Sequence, residues 1–318
     1  MTVSVVLPTY NRGPVVEAAL ASVLQQTFRQ FEVIVADDGS TDDTAERLAR
    51  IADRRVRYLR LDHRGIAATR NAAVAASGGD VLAFLDSDDI WKPDKLATDV
   101  AFLARHPEVP AVFADLEKHD GDLVVPSFMR ATPVFSRRLP AERLPGPLVL
   151  PQREMFLCLL QESPILPSAL AVRRWAFEAA GWFDPGWPTF SDWEFLVRFA
   201  RRFAFGYVDR ALTVLRISKD SEHRVHAERG RRAMLRRLAR ERRRHRGDPE
   251  VQAAIRAGRL RLRVQLGWYY AGQGRRVAAF RNHLAGFLQL REPELLARAL
   301  AVWAPPAVVR RRHRTRAA

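Results

Sequence analysis

The stretch Val81-Leu-Ala-Phe-Leu-Asp86-Ser-Asp88-Asp89-Ile-Trp-Lys-Pro93 constrains this chain more than any other. It opens as an unbroken apolar run, the pattern of a strand covered on both faces in a parallel sheet. It ends in carboxylates at 86, 88 and 89, and Pro93 signals a helix restarting behind them, since proline is favoured in a first helical turn. A strand of this kind delivers Asp86, Ser87, Asp88 and Asp89 to its carboxyl end, the ligand-binding rim of an open α/β sheet. Neighbouring carboxylates repel one another, a cost that a cation offsets. Hard oxygen donors suit Mg²⁺ or Mn²⁺, ions that commonly bridge one or two carboxylates to a substrate's phosphates. Standing alone, the segment would equally suit a solvated acidic turn that caps the next helix. The segments around it argue for the rim.

The same pattern recurs upstream. Val3–Pro8 reads as a first buried strand that runs into Thr9-Tyr10-Asn11, and Pro14 opens a helix to about Gln26 with Val16, Ala19, Leu20 and Val23 on one face. Phe31–Ala36 is a second strand ending in Asp37-Asp38-Gly39-Ser40-Thr41. There Gly39 permits a tight turn, and Ser40 or Thr41 can cap a helix from Asp42. Val56–Leu61 is a third strand, Gly65–Ala76 an Ala-rich helix carrying Arg70 and Asn71, and Pro93–His106 a further helix. Strands alternating with helices over short joints imply a parallel, doubly wound sheet, so residues 1–115 read as a Rossmann-like half. The dinucleotide fingerprint GxGxxG does not follow the first strand.

Residues 116–221 read as a mixed second half. Short apolar runs occur at Ala111–Ala114 and Leu123–Val125, and residues 126–151, rich in Pro and Arg, look like a loop over the site. Helices are expected at Met155–Gln161, Trp175–Ala180 and Ser191–Arg202, and strands at Leu170–Arg174, Phe205–Val208 and Leu212–Ile217. Residues 222–318 lack strand patterns. Helices are expected there at Arg229–Arg246, Gln252–Tyr270, Val277–Leu290 and Glu294–Val302.

Charge divides the chain at the same point. Residues 1–221 carry 27 Lys and Arg against 29 Asp and Glu, whereas residues 222–318 carry 25 against 7. The first part is electrostatically ordinary, and the second is a basic extension whose charge bears on partners or location rather than on fold. The single cysteine, Cys158, excludes an internal disulfide and fits a reducing, cytoplasmic setting, where it reads as an inert core residue. The N-terminus lacks the charged start and long apolar core of a signal peptide. No apolar run reaches the roughly 18–20 residues of a membrane span.

Four features therefore sit at successive ligand-facing points of one sheet: Pro8-Thr9-Tyr10-Asn11, Asp37-Asp38, Arg70, and Asp86-Ser87-Asp88. They offer partners for a base and ribose, a cation for phosphate and carboxylates for a divalent metal. That is a nucleotide-diphosphate site without a P-loop.

The pieces VSVVLPTYNR, SVLQQTFRQFEVIVADDGSTDDT, GIAATRNAAVAASGGDVLAFLDSDD and IWKPDKL, followed by PSALAVRRWAFEAAGWFDP and SDWEFLVRFA, resemble in this order the family 2 inverting glycosyltransferases of GT-A fold. The resemblance covers about residues 1–217. It implies a GT-A catalytic domain over 1–221 and a sugar carried from a nucleoside-diphosphate sugar, a UDP-sugar foremost, to a hydroxyl of a polysaccharide or lipid-linked glycan precursor. It further implies that Pro8, Thr9 and Tyr10 line the nucleotide pocket and that Asp38 contacts base or ribose. Arg70 would lie near the diphosphate or ribose, Asp86 and Ser87 at the sugar nucleotide, and Asp88 on the Mn²⁺ or Mg²⁺. Asp192 matches the general base of a motif usually written Glu-Asp, with Ser191 standing where the Glu is expected. An N-cap role for Asp192 is the simpler local reading, and both roles are compatible. The family often carries a His after the last core strand. Here Ser218 falls near that position, so Arg216 or Lys219 would supply positive charge.

For the basic extension the Arg clusters show little aromatic interleaving, so no nucleic-acid partner is expected. Leu295, Leu296, Ala299, Leu300 and Trp303 form an apolar stripe beside the terminal Arg310–Arg316 cluster, which suits an anionic membrane surface as much as a solvated helical cap. His223 and His226 read as solvated rather than as zinc ligands. Two rival functions remain: a nucleotidyltransferase, against which the missing Gly-rich phosphate loop speaks, and a non-catalytic basic binding protein, against which the acidic strand ends speak.

Overall fold

The structure, a computed structural model, describes residues 1–144, 146–187, 189–217 and 226–303. Ser218, Lys219, His223 and the Arg310–Arg316 cluster lie outside the described residues. The chain divides into two compact units, Met1–Ser221 and Glu222–Ala318.

In the first unit β1 (Val3–Thr9), β2 (Phe31–Asp37), β3 (Val56–Arg60) and β4 (Val81–Phe84) pair in parallel in the order β3-β2-β1-β4. Helices α1 (Gly13–Leu24), α2 (Thr44–Ala49) and α3 (Ile66–Ala75) connect them. Strands β1 and β4 are buried along their whole length, as their unbroken apolar runs require, while edge strand β3 is partly exposed. Val16, Ala19, Leu20 and Val23 of α1 pack into this core. Four parallel strands thus set their carboxyl ends along one edge, and that edge carries the candidate site.

Beyond β4 the sheet becomes mixed, as expected for the second half. A two-residue strand, β5 (Ile90–Trp91), precedes α4 (Lys95–Arg105). Then come β6 (Ala111–Asp120), β7 (Leu123–Val125), α5 (Phe128–Ala131), β8 (Leu148–Leu150), α6 (Gln152–Leu159), β9 (Leu170–Arg173), α7 (Arg174–Ala180), α8 (Ser191–Ala200) and β10 (Phe205–Arg216). Strand β9 enters antiparallel between β4 and β6, and β10 runs parallel to β6. The segment expected as a loop over the site contains α5 and β8, and β8 pairs with β10. The two strands expected at 205–217 are one strand, interrupted only by register shifts between Val208 and Thr213.

Among the described residues the second unit consists of α9 (Ala227–Arg244), α10 (Pro249–Gly272), α11 (Arg276–Leu290) and α12 (Pro293–Ala301). Asp248 caps α10 by accepting the Val251 N–H at 3.1 Å. Leu266, Tyr270 and Ala279 form its small core. The apolar stripe of α12 is split: Leu295 and Ala299 are fully buried, whereas Leu300 and Trp303 are exposed. Half of it therefore belongs to helix packing and is not available to a surface. Among the described residues no helix is long and apolar enough to cross a membrane.

Candidate active site

The first rim loop is fastened to the second. Asn11 adopts the left-handed region (φ 49°); its amide oxygen accepts the Thr41 N–H and its own N–H donates to Ser40 Oγ, both at 2.8 Å. Asp37 is buried and accepts from the Ser40 N–H (2.8 Å), Ser40 Oγ (2.6 Å) and Tyr58 hydroxyl (2.5 Å), so it shapes the turn. Ser40 is thereby used, and α2 starts at Thr44, whose hydroxyl and N–H bond Asp42 instead. Pro8 and Thr9 are buried, and the Thr9 hydroxyl has no hydrogen-bond partner among the described residues. Asp38 accepts the N–H groups of Arg64 and Gly65 at 2.9 Å each, and its Oδ2 lies 3.0 Å from His63 Nδ1. The His63 ring stacks on exposed Tyr10 with centroids 4.3 Å apart. Tyr10 and Asp38, both assigned to the nucleotide pocket, thus meet at His63, which no sequence pattern singled out.

The acidic strand end is more differentiated than its sequence suggests. The Asp86 carboxylate pairs with the Arg70 guanidinium, which is 5% exposed and sits over the Phe183 ring at 5.6 Å. Asn71 exchanges two hydrogen bonds with the Phe183 backbone, at 2.8 and 3.1 Å, so α3 holds the turn before α8. The Asp86 N–H donates to Ser168 Oγ at 3.0 Å. Ser87 is buried. Asp89 is also buried and is used internally: it accepts the Ser168 hydroxyl at 2.5 Å and the Arg216 N–H at 3.1 Å. Burial, then the charges of Asp88 and Asp86, push its carboxyl well above the usual range.

Asp88 differs from both neighbours. No side chain among the described residues hydrogen-bonds its carboxylate. Desolvation and the adjacent Asp86 charge raise its pKa, against the opposing charges of Arg12 and Arg216. Arg216 Nε donates to the Asp88 carbonyl at 2.5 Å, while its Nη2 is buried without a partner among the described residues. An acceptor-only group in this state fits a hard cation. Among the described residues no cluster of three or more His, Cys, Asp or Glu could hold a metal. An ion on Asp88 would therefore rely on ligand phosphates for much of its shell, the habit of Mg²⁺ in phosphate sites.

Asp192 lies in the first turn of α8, behind Phe190, a non-glycine residue in the left-handed region (φ 60°). Such strained positions cluster at functional sites. The Ser191 hydroxyl is buried without a partner among the described residues. Desolvation raises the Asp192 pKa, Arg70 opposes this, and Asp86 adds to it. Residues 70, 86 and 192, remote in sequence, therefore act on one another. Asp192 is not the N-cap, a position that Phe190 fills without a side-chain hydrogen bond. Trp193 is core: its indole N–H donates to the Leu159 carbonyl at 2.8 Å. Cys158 is buried as expected.

A mixed sheet whose parallel half ends in these acids, with an antiparallel insertion carrying the turn before α8, defines a GT-A fold. The sequence profile of Glycosyl transferase family 2 matches residues 4–179, more than half of the chain, and the chain belongs to that family. Two Escherichia coli relatives are UDP-Glc:alpha-D-GlcNAc-diphosphoundecaprenol beta-1,3-glucosyltransferases. WfgD is 30% identical over 43% of this chain and 54% of its own length, and WfaP is 36% identical over 32% and 41%. The match thus spans about half or less of these relatives. Among solved structures, S. aureus TarS 1-349 in complex with UDP-GlcNAc superposes with a TM-score of 0.61 at 18% identity, covering 95% of this chain and 89% of that one. The mannosyltransferase PcManGT from Pyrobaculum calidifontis in complex with GDP-Man and Mn²⁺ superposes with a TM-score of 0.58 at 20% identity, covering 95% and 81%.

Proposed function

We propose that this protein transfers a sugar from a nucleoside-diphosphate sugar, with inversion, to a hydroxyl of a glycan or lipid-linked glycan precursor. The observation that carries the reading is geometric: Arg70 pairs with Asp86 at the end of β4 and lies over Phe183, and Asn71 ties α3 to that same turn before α8, whose first turn carries Asp192. The relatives' acceptors and the nucleotide-sugar complexes of the structural neighbours support a UDP-sugar donor and a lipid-linked acceptor.

In this reading Pro8, Thr9, Tyr10 and Asp38 hold the nucleoside, with the unpartnered Thr9 hydroxyl free to bond it. Arg70, Asp86 and Ser87 position the diphosphate and sugar. Asp88 holds Mn²⁺ or Mg²⁺, which when bound supplies Lewis-acid neutralisation of the leaving diphosphate. Asp192 accepts the proton of the acceptor hydroxyl as that oxygen attacks the anomeric carbon from the face opposite the diphosphate. Burial makes the carboxylate more basic, and the Arg70 charge opposes that rise. Such general-base assistance contributes typically about 10²–10⁴-fold. One displacement inverts the anomeric centre.

A thermal-shift screen of nucleotide sugars with and without Mn²⁺ tests the donor side, because a ligand of the folded state alone raises apparent stability. A UDP-sugar that stabilises only with Mn²⁺, and fails to do so in Asp88→Asn, is expected. Stabilisation by an NTP together with a sugar phosphate, with pyrophosphate released, would favour the nucleotidyltransferase instead.

A further inference from the structure

The C-terminal unit contains a groove of about 830 Å³ lined by Arg232, Arg236, Arg263, Arg275, Arg276 and Arg281. Among the described residues no carboxylate lines it. Glu228 partners Arg232 at 3.2 Å and Arg275 at 2.7 Å. Among the described residues the Arg263 guanidinium is held by the neutral amides of Asn282 and Gln289, and burial depresses its pKa, with Arg259 and Arg232 adding to the effect. Arg236, Arg276 and Arg281 have no acidic partner among the described residues.

Concentrating cations without counter-charge costs stability through mutual repulsion, and a bound polyanion removes that cost. The groove is also amphipathic: Leu235, Leu266, Val277 and Trp303 supply an apolar lining, and Val277 and Trp303 are exposed. Arginine forks match phosphate oxygens, and apolar surface beside them suits an acyl or prenyl chain. The volume is that of a small-ligand site, too little for a nucleic-acid duplex.

We propose that this groove binds the diphosphate head of a lipid-linked acceptor, with the start of its hydrocarbon chain on the Leu235–Trp303 side. The proposal deepens the transferase reading and rests on it only for the ligand's role as acceptor. It adds a site that lies wholly within residues 232–303.

The test uses the full chain, without sugar nucleotide, and phosphatidylcholine vesicles doped with a polyprenyl diphosphate. Cosedimentation is compared between Arg236→Gln/Arg276→Gln/Arg281→Gln and Arg242→Gln/Arg243→Gln/Arg244→Gln. All six side chains are exposed, so packing is preserved and charge removal is equal. Loss of three cations from the groove should weaken binding on the order of a hundredfold, while the second triple stays close to the parent. Inorganic pyrophosphate should compete, and phosphatidylglycerol vesicles of equal charge should bind more weakly. Equal weakening by both triples would reduce the effect to bulk charge and overturn the proposal. So would tighter binding of single-stranded RNA lost through the groove triple. Because binding is read without turnover, failure here leaves the chemistry at Asp192 untouched, and a dead Asp192 variant that still binds vesicles leaves the groove standing.

Discussion

Replacing Arg70 by Gln removes a cation that pairs with Asp86 and also opposes the raised pKa of Asp192. Breaking a buried ion pair from one side costs about 3–5 kcal/mol. The Asp86 side chain is 30% exposed, so water recovers part of that loss and about 2 kcal/mol is expected from the pair. Loss of the guanidinium over Phe183 adds about 0.5–1 kcal/mol. The Tm should fall by roughly 5–10 °C, and Arg70→Gln/Asp86→Asn should regain most of it. The functional consequence follows from sign. With Arg70 gone, burial and Asp86 are opposed at Asp192 only by the backbone N–H groups of its helix turn, so its carboxyl protonates at higher pH. The acid limb of kcat/KM at saturating Mn²⁺ should move to higher pH. Asp86→Asn removes a like charge and should move it down. Stopped assays across pH 4–8 with a UDP-sugar read both. An acid limb unmoved by Arg70→Gln, in a folded variant that still turns over, would refute the electrostatic link between residues 70 and 192.

Other perturbations test the framework around the site. Lys95 and Asp99 form a fully buried pair in α4, with the Asp99 carboxyl raised to about 6 by burial against the opposing Lys95 charge. Lys95→Met should cost about 3–5 kcal/mol in chemical denaturation, whereas Lys95→Met/Asp99→Leu should be near neutral. In the C-terminal unit a Cβ on Gly267 would meet the His283 ring at 2.0 Å, so Gly267→Ala should destabilise that unit by about 1–3 kcal/mol, seen as faster amide exchange in α10 and α11. Burial, then Arg298 and Arg263, hold the His283 pKa at about 4, below its ordinary 6.5. The unfolded chain therefore binds a proton that the folded unit refuses between those values. Stability of the unit should be steady above pH 6.5, decline as pH falls toward 4 and level off below, and His283→Gln should flatten that slope.

Much of the parallel half was legible because an apolar run that ends in acids has few alternatives. The antiparallel half was less so, for identifiable reasons. Asp209 and Arg210 look like a turn, yet Asp209 is buried inside β10, where Arg130 and Arg143 pair with it and Tyr207 bonds it at 3.0 Å. Buried charges with remote partners leave no local signal. Strand β8 is three residues long in a Pro-rich stretch, and its identity comes from pairing with β10. At the site, Asp86, Arg70 and Asp192 could be nominated from motif pieces, but their mutual influence required the fold. His63, Ser168 and Arg12 could not be nominated: a lone His in a loop reads as solvated, and Ser168 matters only because Asp86 and Asp89 arrive beside it. Composition alone does not separate the acids at 86, 88 and 89; only the family resemblance gave 86 and 88 different roles. Folding gives one to Arg70 and one to Ser168 and Arg216, and leaves the Asp88 carboxylate without a side-chain hydrogen bond among the described residues.

The most direct test of the account is single-turnover transfer by Asp192→Asn, set beside its affinity for the same UDP-sugar in Mn²⁺. Donor affinity within about twofold of the parent, with transfer slowed by about 10²–10⁴-fold, is the predicted result. Near-parental transfer by that variant, with binding intact, would contradict the assignment of Asp192 as the base on which the proposed chemistry turns.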